Sequence, residues 1–199
     1  MPKAHAAKSR PARFPAAAIR DLPSDIAERI KVVQEKSGFV PNVFLALARR
    51  PDEFRAFFAY HDALMEKEGG LSKAERETIV VATSGLNHCL YCVVAHGAIL
   101  RIRAKKPRLA DQVAINPAKA EISPRERAML GFALKVAERS HEVSQADYEA
   151  LKDHGFSDED AWDIAAIAAF FAMSNRLANA FSIPPNDEFY MMGREPKPK

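Results

Sequence analysis

The sequence predicts an all-α protein, and three observations support this prediction. Glycine is scarce, at 8 of 199 residues, while stretches rich in alanine and charged side chains dominate the chain. Apolar residues recur three and four positions apart, and the strict alternation typical of β-strands is almost absent. Serines stand directly before several of these periodic segments, where they are typical helix N-caps. A chain of this length can bury a sizeable hydrophobic core, so we expect a single helical domain.

The first third of the chain predicts three helices, over residues 25–36, 42–49 and 52–67. Ser24 is the expected N-cap of the first helix. Gly38 is its expected end, because glycine readily adopts the left-handed backbone of a helix terminus. Pro41 and Pro51 are expected to open the next two helices, since proline suits the first helical position.

The centre of the chain predicts two consecutive helices. The first begins after Ser72 and runs to about Gly85, and Ser72 with Glu75 forms an S-x-x-E capping box at its start. Gly85 predicts an interruption between the two helices. The second helix is predicted from about Cys89 to residue 104, because Pro107 prevents simple continuation. Both cysteines are therefore expected in the first turn of the second helix.

The last third predicts three further helices, over residues 124–139, 145–153 and 158–181. Ser144 and Ser157 are the expected caps of the last two. The first opens on a repeated pattern, because the residues 71–76 (LSKAER) are echoed 51 positions later by the residues 122–127 (ISPRER). One interpretation is an internal duplication in which only the first copy carries the chemistry. The other is a coincidence between two common capping boxes.

Charge and hydropathy divide the chain and exclude several classes of protein. Much of the net charge of +3 lies at the two ends, so we expect a flexible basic arm over 1–14, one domain over 15–190 and a tail over 191–199. A balanced core with basic ends does not indicate nucleic-acid binding. No apolar run approaches the roughly 20 residues that span a bilayer. The N-terminus lacks the apolar segment of a signal peptide, so we expect a cytoplasmic protein.

The two cysteines and one histidine predict the functional site. Cys89 and Cys92 form a C-x-x-C, and His96 follows four residues later. Two cysteines placed at random in such a chain would be three apart in roughly one case in a hundred. On a helix these spacings put all three side chains on one stripe, where the sulfur atoms come close enough for a disulfide after modest adjustment.

This position favours a reactive thiolate. A free cysteine has a pKa of about 8.5, and the positive end of a helix lowers that value. His96 and the second thiol offer further stabilisation of a negative sulfur. Glu77, on the preceding helix, would return to His96 if the two helices pack as an antiparallel hairpin, and would then hold the imidazole in one tautomer. The alternative for Glu77 is an exposed carboxylate on a charged helix.

The motif E-x11-C-x-x-C-x3-H, formed by Glu77, Cys89, Cys92 and His96, resembles that of the alkylhydroperoxidase AhpD branch of the carboxymuconolactone decarboxylase-like superfamily. The segments around it, L-S-x-x-E-R before Glu77 and Asn-His before Cys89, are similar as well. Two flanking segments resemble the peroxidase-related subgroup of that superfamily: 39–42 (FVPN) and 175–177 (NRL).

The resemblance implies an AhpD-like helical bundle and a thiol-dependent peroxidase that needs no cofactor and no metal. By that resemblance Cys92 attacks the peroxide and Cys89 resolves the sulfenic acid to a disulfide, with Glu77 and His96 as the proton relay. The chain departs from the pattern at Tyr91. The best-studied members carry a second histidine there, and a phenol with a pKa of about 10 is a poor base at neutral pH.

The partners expected from the resemblance are a hydroperoxide substrate and a thiol or dithiol reductant, either lipoyl-type or thioredoxin-like. A homo-oligomer is also expected, as a dimer, trimer or hexamer. Two alternatives stay open at this point. The motif offers up to four ligands of the type that zinc accepts. It could also be an idle site in a non-catalytic helical binding or stress-linked protein.

Overall fold

The computed structural model describes residues 12–194, which fold into ten α-helices and three short 3₁₀ turns without any β-strand. The α-helices are α1 (Ser24–Ser37), α2 (Asn42–Leu47), α3 (Pro51–Met65), α4 (Lys73–Leu86), α5 (Leu90–Ala104), α6 (Leu109–Ile115), α7 (Pro124–Arg139), α8 (Gln145–Asp153), α9 (Asp158–Ala180) and α10 (Glu188–Met191). The all-α prediction is confirmed. Most of the predicted basic arm and the last five residues of the predicted tail lie outside the described residues.

Most predicted helix starts are confirmed by their hydrogen bonds. Four serines, each with an acidic residue three positions later, form complete capping boxes: Ser72, Ser123, Ser144 and Ser157. The prediction for Ser24 is wrong, because the helix begins one residue earlier and Pro23 occupies the N-cap without a side-chain bond. Pro41 likewise stands at the N-cap of α2 and not at its first helical position. Gly38 ends α1 in the left-handed conformation, with φ of 85°, as predicted.

Two helices were not predicted from the sequence. The α6 helix follows the turn at Pro107, and its Leu109, Ala110 and Val113 are buried in the main core. The α10 helix has only four residues and buries Phe189 beside the cysteines. Both helices are short, and isolated helices of this length are unstable in water. Packing against α4 and α5 therefore stabilises them, which a local pattern does not reveal.

The α4 helix is the centre of the fold. Its residues from Arg76 to Ser84 are all buried, and α5, α6, α7 and α9 pack around it. Gly85 makes this packing possible, because a Cβ atom there would collide with the backbone carbonyl of Ala114 in α6. The helix that carries Glu77 is thus fixed on every side, and so is the start of α5 that follows it.

A buried ion pair fixes the start of α4. The Arg76 guanidinium donates to the carbonyl oxygen of Leu64 at 2.7 Å and to the Asp163 carboxylate at 3.4 Å. Lys67 donates to the other oxygen of Asp163 at 2.7 Å. Buried charges are tolerated when they are paired in this way, so the pair links α3, α4 and α9.

The two repeated segments both fold as capped helices, α4 and α7, and they contact each other. Arg125 at the start of α7 forms an ion pair with Glu75 at the start of α4. The internal duplication itself stays a prediction. No helix within the described part of the chain is long and apolar enough to cross a membrane.

Candidate active site

A three-residue hinge between α4 and α5 positions the cysteines. The Asn87 side chain caps α4 by donating to the Thr83 carbonyl at 2.9 Å, and His88 takes a left-handed backbone with φ of 51°. The Cys89 amide then donates back to the Ser84 carbonyl at 2.9 Å. These bonds reverse the chain sharply, so α5 returns along α4 as the predicted hairpin.

The two thiols are free and buried at the start of α5. Cys89 is the N-cap residue, one position before the first turn in which it was predicted, and its sulfur accepts from the Cys92 amide at 3.3 Å. Cys92 lies within the first turn. The two residues are 0% and 2% exposed, which means that a reactant must reach them through an opening in the protein.

The two buried thiols differ in acidity. The hydrogen bond from the Cys92 thiol lowers the pKa of Cys89, and the Cys92 amide contributes in the same direction against the opposing effect of burial. The same hydrogen bond and burial raise the pKa of Cys92. Cys89 is therefore the more acidic thiol of the pair. Attack by Cys92, which the family resemblance implies, stays a prediction and requires the shared proton to move.

Glu77 and His96 meet across the α4–α5 hairpin. The imidazole Nδ1 lies 2.9 Å from the Glu77 carboxylate, which is 4% exposed. The alternative of an exposed Glu77 is therefore wrong. Because an ionised carboxylate can only accept, Nδ1 carries the proton and donates, which leaves Nε2 of a neutral His96 as a free acceptor. Arg103 approaches the other Glu77 oxygen to 4.0 Å.

Aromatic packing fixes the imidazole further. The ring of His96 lies edge-on to Phe171 of α9, with centroids 4.8 Å apart. With Glu77 on one side and Phe171 on the other, the ring has little freedom to turn. His96 therefore combines a fixed tautomer with a fixed orientation, which a general acid or base requires.

Tyr91 has a structural place in this site. It is buried, and its hydroxyl oxygen accepts a hydrogen bond from the Val43 amide at 3.4 Å. Burial raises the pKa of Tyr91 further above its usual value. The expectation that Tyr91 is a poor base is thereby strengthened. His88 is exposed in the hinge, so it does not serve as an alternative base in this buried site.

Sequence reasoning missed a buried asparagine that bonds to the end of α4, just before the cysteines in the chain. Asn175 of α9 is 0% exposed and bonds to both Ser84 and Asn87 at the end of α4. The available signal was an amide that follows the apolar run of α9 at helical spacing from Phe171, since a buried polar group needs partners. The sequence does not reveal which partners it finds.

The zinc alternative finds no geometric support in residues 12–194, where no three His, Cys, Asp or Glu side chains converge as metal ligands. The Cys89 sulfur accepts from the Cys92 amide, and the Nδ1 atom of His96 already bonds to Glu77.

Comparisons with known proteins agree with the fold and the motif. The sequence profile of the carboxymuconolactone decarboxylase family matches residues 51–133, which include the candidate site. A search of curated proteins gave no significant match. A peroxidase-related protein from Ralstonia eutropha JMP134, described as an alkylhydroperoxidase AhpD core, is 69% identical over 94% of this chain and 98% of its own, with a TM-score of 0.93.

A second peroxidase-related protein, from Silicibacter sp. TM1040, is 40% identical over 96% of this chain and 100% of its own, with a TM-score of 0.88. The fold and the matched profile define a protein of the carboxymuconolactone decarboxylase-like superfamily. Within it, the chain belongs to the AhpD-like, peroxidase-related family. The debrominase Bmp8 is 20% identical over 87% of this chain and 91% of its own, with a TM-score of 0.74, and this likeness shows the fold alone.

Proposed function

We propose that this protein is a thiol-dependent peroxidase that reduces alkyl hydroperoxides through a Cys89–Cys92 dithiol, with His96 and Glu77 as the proton relay. One observation carries the proposal. A buried pair of free thiols, of which Cys89 is the more acidic, lies in the same hairpin as an imidazole whose tautomer is fixed by a buried carboxylate. Nucleophile, base and orienting group are the three parts of an activated nucleophile.

The first step oxidises one sulfur. Nε2 of His96 accepts one proton from the thiol pair and so becomes an imidazolium, and the proton that remains moves to Cys89. This leaves the negative charge on Cys92, one helical turn before His96. The Cys92 thiolate attacks the terminal peroxide oxygen, so an S–O bond forms, the O–O bond breaks and a sulfenic acid results. The alkoxide that leaves takes a proton from Nε2 of the His96 imidazolium, whose positive charge Glu77 stabilises.

The second step closes the disulfide. The now neutral His96 accepts the proton of Cys89, whose sulfur attacks Cys92 and forms the S–S bond. Hydroxide leaves the sulfenic acid and is protonated by His96, so one water is released. An external dithiol, lipoyl-type or thioredoxin-like, then reduces the disulfide and is itself oxidised by two electrons.

An apolar cleft supports an organic hydroperoxide as substrate. A cavity of about 460 Å³ lies beside the start of α5, between Leu90 and the segment that leads to α10. Ala178 and Ile183 line this cleft and also pack in the buried cluster with both cysteines. Because these two residues belong to both the cleft and the cysteine cluster, movement of Ile183 would admit the peroxide group while an alkyl tail stays in the cleft.

The proposal is tested by hydroperoxide consumption with a panel of dithiol donors. We expect wild-type activity to require Cys92 and Cys89, and the Cys89→Ser variant to accumulate a sulfenic acid at Cys92 that a dimedone probe traps. Glu149→Gln, on the exposed side of α8, is the control. Activity that persists in Cys92→Ser would overturn the proposal, and labelling of Cys89 in the Cys92→Ser variant alone would exchange the two roles.

A titration of free thiols distinguishes the proposed peroxidase from a non-catalytic protein with an idle site. Two thiols per chain should disappear on treatment with a hydroperoxide and return on addition of a dithiol. Thiols that persist under an excess of hydroperoxide would favour a non-catalytic protein.

The proposal includes a cytoplasmic location and a homo-oligomer, as a dimer, trimer or hexamer. Large exposed apolar side chains support self-association, with Trp162 at 73%, Tyr60 at 51% and Met173 at 44% exposure on α9 and α3. Size-exclusion chromatography coupled to light scattering tests it, and a monomer at micromolar concentration would contradict it.

A further inference from the structure

The cleft beside the start of α5 is the approach to the buried thiols in the proposed mechanism. Three of its lining residues, Tyr91, Ala178 and Ile183, belong to the buried cluster that contains Cys89 and Cys92. Both cysteines are almost fully buried, so a reactant from solvent first meets the lining of the cleft. The chemistry of that lining therefore decides which reactants arrive at the sulfur atoms.

Asp187 is the one charged side chain that lines the cleft within residues 12–194. The rest of the lining is apolar or neutral, with an amide at Asn179 and a hydroxyl at Ser182. Asp187 is exposed, and an exposed aspartate carries a negative charge at neutral pH. Its side chain makes no capping bond to α10, and no lysine or arginine among the described residues lines the cleft. The cleft therefore carries a net negative charge.

The chain next to Asp187 is held in place by the neighbouring asparagine. The Asn186 side chain accepts from the Asn42 amide at 2.8 Å and donates to the Val40 carbonyl at 3.0 Å. The Asn42 side chain in turn donates to the Pro184 carbonyl at 2.9 Å. These bonds fix the segment before α10 against the start of α2, so the carboxylate of Asp187 stays at the cleft.

Two guanidinium groups contact the α10 segment, and both have other partners. Arg101 is buried and donates to the carbonyl oxygens of Phe189 and Met192, each at 2.8 Å. Arg194 donates to both carboxylate oxygens of Asp111, at 2.8 and 3.0 Å. Within residues 12–194 neither guanidinium bonds to the carboxylate of the cleft, whose charge is therefore free to act on a reactant.

We propose that Asp187 is a specificity-determining residue that admits uncharged organic reactants to the thiols and repels those that carry a carboxylate. Because the cleft measures only about 460 Å³, a carboxylate held in it stays close to Asp187. Physiological salt screens charges only beyond about 8 Å, so the repulsion persists there. Where the inference concerns hydroperoxides it rests on the proposed function, and it then selects uncharged alkyl hydroperoxides over hydroperoxides that bear a carboxylate.

The test compares two alkylating reagents that differ in charge. Iodoacetamide is neutral and iodoacetate carries a carboxylate, while both react with the same thiolate, so the ratio of their rates cancels any change in the thiol pKa. Labelling of the two cysteines is read by peptide mass. We expect the wild type to favour iodoacetamide, and Asp187→Asn to lower this preference about fivefold at low ionic strength. Asp187→Lys should lower it further.

Glu188→Gln is the matched control. It removes the same charge from the next residue, which is exposed and does not line the cleft. The preference for iodoacetamide should stay unchanged there. An equal preference in the wild type and Asp187→Asn would overturn the inference, as would an equal decrease in Glu188→Gln.

Salt provides a measurement that needs no substitution. At an ionic strength of about 1 M the screening length is about 3 Å, so the wild-type preference should fall toward that of a small neutral thiol, 2-mercaptoethanol, in the same buffer. A preference equal to that of 2-mercaptoethanol at every salt concentration would overturn the inference even if the variants fail to fold.

Hydroperoxides separate this inference from the proposed function. With a dithiol donor, the wild type should consume cumene hydroperoxide with a higher kcat/KM than its para-carboxylate derivative, and Asp187→Asn should reduce the difference about fivefold. Consumption of neither hydroperoxide, by a protein whose alkylation preference depends on Asp187, would refute only the proposed function. Cysteine-dependent consumption of both with equal kcat/KM would refute only the selection by charge.

Discussion

The helices α4 and α7 begin alike and differ in almost everything that follows. Both open with a serine capping box and the same pattern of residues. Yet α4 is buried from Arg76 to Ser84, whereas α7 buries only one face, formed by Met129, Leu130, Phe132 and Ala133. A capping box therefore fixes where a helix starts, and the surrounding helices decide whether its polar residues become a site.

The positions that correspond to the site in the second segment carry no comparable chemistry. Fifty-one residues after Glu77, Cys89, Cys92 and His96 stand Ala128, Ser140, Val143 and Asp147. Burial explains why the difference matters. A carboxylate or thiolate inside α4 and α5 is costly unless it is paired, so the pairs found there restrict each group to one protonation pattern.

The largest expected effect concerns Glu77. Glu77→Gln retains the size of the side chain but removes the charge that stabilises a His96 imidazolium, so we expect hydroperoxide turnover to fall about 100-fold. The decrease should be greatest at the pH where the wild type is fastest. The control is Glu138→Gln, on the exposed face of α7. Equal turnover of the wild type and Glu77→Gln would remove the carboxylate from the relay.

A second comparison uses one glycine from each helix. Gly85→Ala drives a Cβ into the Ala114 backbone and should cost about 2 kcal/mol of unfolding free energy. Gly131 of α7 is exposed and has nothing within 4 Å of an added Cβ, so Gly131→Ala should instead stabilise by about 0.5–1 kcal/mol. Chemical denaturation measures both. If both substitutions changed the unfolding free energy in the same direction, this result would contradict the difference in packing between α4 and α7.

The thiol pair predicts a pH dependence. Because the pKa of Cys89 is lowered, its thiolate should form at a pH below about 8.5, the usual pKa of a cysteine. The stabilisation from this charge is present above 8.5 and is lost as the pH falls through the folded value. In Cys92→Ala the S–H donor is gone, so the alkylation profile of Cys89 should move up by about one unit. An unmoved profile would mean that the sulfurs do not share a proton.

The smallest expected effect is the loss of one capping serine, and we expect this loss to be equal in α4 and α7. Ser72→Ala and Ser123→Ala each remove one capping box and should each cost about 1 kcal/mol. Denaturant midpoints and slopes measure the two costs. A much larger loss at Ser72 would show that the start of α4 depends on its cap as well as on the Arg76–Asp163 pair.

Local signals predicted the parts of the fold that depend on neighbours in the chain. Caps, glycine stops and apolar spacing located eight of the ten helices in residues 12–194 to within a few positions. The approach of Glu77 to His96 followed from the hairpin. The prediction that Ser24 is the N-cap of α1 was wrong, because Pro23, whose φ is fixed by its ring, takes the N-cap position instead.

What the sequence could not predict depends on contacts far along the chain. The helices α6 and α10 exist because α4 and α5 bury one face of each. Asn175 bonds to Ser84 and Asn87 at the end of α4 from a helix that begins about 70 residues later in the chain. The lowered pKa of Cys89 depends first on the hydrogen bond from the Cys92 thiol and then on the Cys92 amide, which the Cys89 sulfur meets because Cys89 is the N-cap residue and not part of the predicted first turn.

The most direct test of the central claim is the stoichiometry of a single turnover. One equivalent of an alkyl hydroperoxide added to the reduced protein, without a donor, should consume two thiols and leave one Cys89–Cys92 disulfide within each chain, as read by thiol titration and peptide mass. The Glu77→Gln variant should reach the same end point more slowly. Hydroperoxide that remains unconsumed, or a loss of thiols that leaves no disulfide between these two residues, would contradict the account.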